Sequence, residues 1–330
     1  MTGGKFKIRP LALDPGLIGD DPVVVIDVGA SGGLQDHWRR LPPAGLRAIL
    51  FEPDPRAMEE LKVRSGGRVQ VVNLGLSDAP GRLSLHLCRR QQVSSAYRPN
   101  RSFLDRFPDS ARFDLFETTE VEVDALDGWL VRNPTEVDFI KIDTEGYELS
   151  ILKGAQKTLT ATIGLLVEVS FAPLRQGQPL FSEVDEFVTR QGFDLFALAP
   201  KSWTRKEAAG RNLDSPGQLV FADALYFRGP ENVLEMPGVT ESKIIRAALV
   251  YLVHDYIDLA LVLQTLAWEA GLLGQNVAAG LAKTIDQSVR TQRKKTDHQA
   301  RLRAARYYLN PRTYCRSLLR RVLKAETSER

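Results

Sequence analysis

Sulfur is scarce in this 330-residue chain, which has only two cysteines, Cys88 and Cys315, and three methionines. Two isolated cysteines build neither a disulfide framework nor a zinc site of Cys-x-x-Cys type, and they suit a reducing compartment. A long uncharged apolar run is also missing. The best stretch, 244–263, is broken by Arg246, His254, Asp255 and Asp258, short of the roughly 18 residues that a membrane-crossing helix needs. Basic side chains near the start have no apolar segment behind them, which argues against a secretory leader. A cytoplasmic protein is the expectation. The hydrophobic fraction of 43% excludes a mainly disordered chain. The length allows one large α/β domain with an appendage.

The net charge of +3 hides an asymmetry. Residues 290–324 hold twelve Lys or Arg against one acid, Asp297, so the remainder is net acidic. That pattern disfavours a nucleic-acid binder, and only Tyr307, Tyr308 and Tyr314 offer stacking rings there. The basic stretch reads as a solvated face or as a peripheral contact with anionic membrane lipid.

Apolar strand candidates recur at 23–28, 48–52, 69–76, 139–142, 165–169, 193–197 and 219–227. Helix-like stretches lie between them at 55–64, 148–159 and 182–191. This alternation predicts a mostly parallel sheet with helices on both faces. Residues 81–87 and 121–123 alternate with period two and read as an added hairpin. The polar 89–120 between them reads as a lid over a substrate cleft. After Pro237, Ile245, Leu249, Leu252, Tyr256, Leu259, Leu263 and Leu266 step by four and three, predicting one long helix. Its seam would pack on the sheet or form a homodimer. Val277, Leu281, Ile285 and Val289 predict a second helix beyond Gly271 and Gly274, and a third follows Pro311.

The richest chemistry lies at strand ends. The run Val23–Val28 meets Asp27-x-Gly29-x-Ser31-x-Gly33, and 25 residues after Asp27 a second run closes in Glu52. Glycines let a turn approach a ligand by its backbone, and an acid closing the next strand grips ribose hydroxyls. Serine replaces the middle glycine of a dinucleotide fingerprint, and Asp27 would repel a pyrophosphate. The pair suits a cationic nucleoside such as S-adenosylmethionine, unless Asp27 only caps a turn. Further on, Asp143, Glu145 and Glu148 follow the strand 139–142. Strand carboxyl ends line the ligand crevice of an open parallel sheet, which sets Asp143 and Glu145 beside the reactive end of the cofactor. Asp143 or Thr144 as a helix cap, with Glu145 and Glu148 on the helix dipole, is the structural alternative.

Taken in order, Asp27-Val28-Gly29-Ala30, Phe51-Glu52-Pro53, Asn73-x-Gly75-Leu76-Ser77-Asp78, Leu126-Asp127, Asp138-Phe139-Ile140-Lys141-Ile142-Asp143-x-Glu145-Gly146-x-Glu148 and Leu152-Lys153-Gly154-Ala155 resemble the FkbM family of S-adenosylmethionine-dependent methyltransferases. Most known members methylate hydroxyl oxygens, often on sugars or polyketides. The resemblance runs over 23–227, with Ser31 replacing the family's usual asparagine. It implies a Rossmann-like class I methyltransferase sheet, seven-stranded and mostly parallel with an added hairpin, plus a C-terminal α-helical region. The implied division is an extension at 1–20, the methyltransferase domain at 21–230, and a helical region with a basic tail at 231–330.

The resemblance also implies roles. Gly29, Ala30 and Ser31 would approach the cofactor's methionine part, with Asp27 ordering their loop. Glu52 would hold the ribose diol, Ser77 and Asp78 would meet the adenine edge, and Asp143 and Glu145 would stand near the sulfonium. A hydroxyl acceptor, whether small molecule, glycan or glycolipid, calls for a general base. Asp143, Glu145, Glu168 and His37 are the candidates, with Trp38 as a sugar-stacking platform. A surface histidine is the alternative for His37. A divalent cation held by Asp143 and Glu168 is a minor alternative. The rivals are a nicotinamide-dependent oxidoreductase or epimerase, which lacks an evident Tyr-x-x-x-Lys pair here, and an inactive methyltransferase-like binding module.

Overall fold

The computed structural model describes residues 9–17, 21–57, 61, 68–208, 210–211 and 215–309, with side chains to 293. The helix expected after Pro311 and much of the one at 55–64 lie outside them.

Ten strands are described: β1 Val23–Val28, β2 Leu46–Phe51, β3 Val69–Val72, β4 Gly75–Ser77, β5 Gly81–Cys88, β6 Leu115–Ala125, β7 Phe139–Ile142, β8 Gly164–Ser170, β9 Asp194–Trp203 and β10 Gln218–Phe227. Seven form the main sheet in the order β3-β2-β1-β7-β8-β10-β9. The strands β3, β2, β1, β7 and β8 pair in parallel, and β10 runs antiparallel to both of its neighbours. Every residue of β1 is buried, as a central parallel strand with both faces covered requires. Its pleat divides the core. Val23 and Val25 pack with Phe139 and Phe227 on one face, and Ile26 and Val28 pack with Ile140 and Ile142 on the other.

The helices include α1 Leu126–Arg132, α2 Glu148–Lys153, α3 Gln156–Leu159, α4 Phe181–Arg190, α5 Glu241–Val253, α6 Ile257–Glu269 and α7 Gln275–Leu309. The C-terminal three cover the Val23/Val25 face, so sheet and helices share one core. The N-terminal segment joins them, where the Asp14 amide donates to Thr284 Oγ1 at 3.1 Å and Lys283 pairs with Asp14 at 3.0 Å.

A buried ion cluster pins α5 to the amino end of β7. Asp138 is fully buried; its Oδ2 accepts from the Val24 amide at 2.9 Å, and its Oδ1 faces Lys243 Nζ at 2.8 Å and Arg246 Nε at 3.0 Å.

Three sequence expectations change. The run 69–76 splits, because β4 leaves the main sheet to pair with β6 in a second sheet of order β4-β6-β5. The 89–120 segment, polar in sequence and read as a lid, carries an apolar side and a strand of its own. Phe103, Leu104, Phe107 and Phe113 seat it on Ala172, Leu174 and Val220, and its end belongs to β6, which β5 pairs from Gly81 to Cys88.

The single helix across 245–266 is two helices. Asp255 between them takes a left-handed φ of 66°, and the Tyr256 amide donates to the Tyr251 carbonyl at 3.0 Å. The bend brings Tyr256 against Phe196 and Phe227, with ring centroids at 5.4 and 5.3 Å. Leu249, Leu252 and Leu263 of the seam are buried within the chain, while Leu261, Val262 and Trp268 face outward on α6. Among the described residues no helix is long and apolar enough to cross a membrane.

Candidate functional site

The carboxyl ends of β1, β2 and β7 open onto a cleft with about 700 Å³ of open space, walled by Gly29, Ser31, Glu52, Asp143, Glu145 and Tyr147. The insertion contributes Gln91, Ser94 and Ala96, and the small sheet adds Leu85 and Val123.

Gly29 turns the chain out of β1 with φ 75°, and any Cβ there would collide with the Asp143 carbonyl. Only glycine serves, because it accepts the left-handed conformation and lets the two backbones touch. The Gly29 amide donates to the Phe51 carbonyl at 3.1 Å and the Asp143 amide to the Val28 carbonyl at 3.0 Å, so three strand ends are tied together.

Behind this turn Asp27 is 1% exposed. Lys141 Nζ lies 3.0 Å from its Oδ1 and 3.3 Å from Asp143 Oδ2, yet neither Asp27 oxygen receives a well-aligned hydrogen bond. Burial, offset in part by Lys141, leaves Asp27 raised to about 6. Burial alone would depress the Lys141 ammonium, but Asp27 and then Asp143 lift it above the ordinary lysine value.

Glu52 accepts from the Asp54 amide at 2.9 Å, and burial raises it to about 7 against that bond. Asp27 and Asp143 thus share a single ammonium, with Glu52 adding a third acid to the cleft. The excess negative charge opposes a pyrophosphate and favours a cation.

The 143–148 turn sorts its acids. Glu148 Oε1 accepts from the Thr144 amide, the Thr144 hydroxyl and the Gly146 amide at 2.9, 3.1 and 3.0 Å, so Glu148 shapes the turn. Glu145 instead lines the cleft from a left-handed φ of 59°. Its Oε2 meets Arg175 Nη2 at 2.8 Å, and burial raises it to about 7 despite that partner. Glu168, half-buried on β8 opposite Asp223, is driven well above the usual carboxylate range by burial, with Glu145 and Asp143 adding to it.

Other expected site residues stand elsewhere. Ala30 is fully buried beside Ala48, Leu50 and Ala57. The Ser77 hydroxyl bonds Asp78 Oδ1 and the Tyr147 hydroxyl, each at 3.0 Å, so of this group it is Tyr147 that walls the cleft.

His37 and Trp38 require correction. Trp38 is fully buried between Phe139 and His254, at 5.1 and 5.2 Å, and cannot stack on a sugar. His37 packs on His254 at 4.7 Å away from the cleft lining, and burial, then Arg40, lowers it to about 4. Among the described residues no group of three or more histidine, cysteine or acidic side chains is arranged to hold a metal ion, Asp143 and Glu168 included.

Sequence reasoning assigned no role to Lys141, Tyr147 or Arg175. Lys141 had a signal, since a lysine inside a four-residue apolar strand must find a partner. Arg175 had none, because its partners are remote in sequence.

The family model for the methyltransferase FkbM domain matches residues 27–195, just over half of the chain. No curated protein matches significantly. Among solved structures, methyltransferase FkbM from Methylobacillus flagellatus KT is 19% identical, with a TM-score of 0.37 over 66% of this chain and 48% of that one. This chain therefore spans about half the length of that relative. The precorrin-6y C5,15-methyltransferase from Geobacter metallireducens GS-15 is 14% identical, with a TM-score of 0.32 over 64% of this chain and 84% of that one. On the domain match from Asp27 through β7 and β8 into β9, the chain belongs to the FkbM methyltransferase family.

Proposed function

We propose that this protein transfers a methyl group from S-adenosylmethionine to a hydroxyl of a sugar, glycan or related metabolite. The observation that carries the reading is the acidic rim of the cleft, where Glu52 and Asp143 line the opening and Asp27 lies buried behind it with Lys141 between Asp27 and Asp143. When bound, the cofactor supplies an electrophilic methyl carbon on a sulfonium. The Gly29 turn would approach its methionine part, Glu52 would hold the ribose diol, and Asp143 would face the positive charge. Much of the acceleration in such a displacement comes from aligning the reactants.

Glu145 is the base of this proposal. It lines the cleft, and a carboxyl titrating near neutrality can take the acceptor's proton. Glu168 is a poorer candidate, since it is absent from the cleft lining and burial drives its carboxyl well above the usual carboxylate range.

Calorimetry on the full chain tests the reading. S-adenosylhomocysteine should release heat at a single site and NAD(H) should not; heat with NAD(H) alone would favour the oxidoreductase. The acceptor is sought by mass spectrometry of cellular carbohydrate with and without the gene, where loss of one methyl per acceptor is expected.

A further inference from the structure

Building on the methyltransferase reading, we propose that Arg175 is a positioning residue whose guanidinium fastens the 89–114 insertion over the cleft and holds the Glu145 carboxylate in place. Closure of the insertion and preparation of the base then become one event.

Arg175 is 1% exposed. Its Nη2 donates to Glu145 Oε2 at 2.8 Å and to the Val93 carbonyl at 2.7 Å, so one nitrogen serves the base and the insertion together. The guanidinium also stands 5.0 Å over the Phe113 ring, at the insertion's far end. From the insertion, Ser95 Oγ returns a bond to the Glu145 carbonyl at 2.8 Å. Glu145 is therefore gripped at backbone and side chain by groups that touch the insertion. This accounts for its left-handed backbone, since strained conformations persist only where the surroundings over-determine them.

The charges facing Glu145 give the proposal a sign. Asp143 from its own turn, Glu148 from α2 and Glu168 from β8 all disfavour its ionised form. Arg175 opposes them most strongly, and Arg112 of the insertion adds a smaller pull. Without Arg175 the carboxyl must hold its proton to higher pH, and Val93 and Phe113 must lose their anchor.

The test is a pH titration of full-length protein labelled with 13Cδ-glutamate, the Glu145 resonance being the one absent from E145Q. The wild-type midpoint should fall near 7. In R175Q it should rise by about one pH unit or more, a tenfold change in proton affinity. R175K keeps the charge but loses the planar guanidinium and its ring stack, so its midpoint should stay near wild type. Tryptic cleavage within 89–114 should be several-fold faster in both variants.

An unchanged Glu145 midpoint in R175Q overturns the proposal, as does wild-type cleavage in both variants. If circular dichroism shows R175Q unfolded, R175K carries the test through cleavage alone, and a wild-type rate there sinks the idea. Calorimetry with S-adenosylhomocysteine on the same samples separates the outcomes, because missing heat in wild type refutes the cofactor reading and leaves the carboxyl titration interpretable.

Discussion

The Lys141 ammonium stands 3.0 Å from Asp27 Oδ1, its register partner across the β1/β7 pair. It also touches the Asp143 carboxylate and the Gly29 carbonyl, so one cation spans both sides of the β1/β7 junction. Replacing it by methionine would strand Asp27 as an unpaired buried acid. Losing one partner of a buried pair costs about 3–5 kcal/mol. K141M should therefore melt well below wild type, and K141M/D27N should recover part of the loss; no recovery in the double variant would mean that the pair is not what stabilises.

Gly29 makes a sharper prediction. G29A puts a methyl group into the Asp143 carbonyl at a left-handed φ. Strain of that kind costs roughly 1–3 kcal/mol before any clash is relieved. The expected result is at least a tenfold loss of S-adenosylhomocysteine affinity by calorimetry, with far-ultraviolet circular dichroism unchanged.

The anchor at Asp138 separates stability from binding. It lies at the amino end of β7, away from the cleft, and D138A leaves Lys243 and Arg246 buried without it. A loss of about 3–5 kcal/mol in chemical denaturation is expected, while cofactor affinity at low temperature stays within about twofold, a difference near 0.4 kcal/mol.

Two sets of groups give stability opposite pH trends. Glu52 rises from its ordinary value to about 7 in the fold. A raised acid binds its proton more tightly when folded, so its contribution is greatest below about 4.5 and declines as pH climbs to about 7. E52Q should flatten that decline in thermal melts. His37 and His254 are lowered to about 4 and about 3, chiefly by burial. Their contribution is complete above 6.5 and is lost as pH falls toward those values. H254Q should lose less stability than wild type between pH 6.5 and 4.5; parallel curves would contradict the buried pair.

Cofactor binding carries its own pH dependence. Asp27, Glu52 and Glu145 complete their ionisation on passing from about pH 6 to pH 8. Affinity for the sulfonium-bearing donor should rise over that interval more than affinity for its neutral product, read by calorimetry at each pH.

Much of the sheet was legible because periodicity and residue type act locally. Val23–Val28 is apolar except for Asp27 and reads as a buried parallel strand; all six residues are buried. The break at Asp255 was not legible, since its cause is the sheet face that α5 and α6 must both cover. The 69–76 run reads as one strand for a similar reason: β4 finds its partner in β6, Gly75 facing Val123 far along the chain.

Sequence alone determined that acids and glycines would gather at strand ends, because alternation places those ends on one rim. Tertiary structure decided which acid does what. Glu148 shapes a turn while Glu145 faces the cleft, and His37 and Trp38 turn into the core. Burial and pairing depend on neighbours brought together only by folding: Arg175 reaches Glu145 across 30 residues, and no local pattern records that contact.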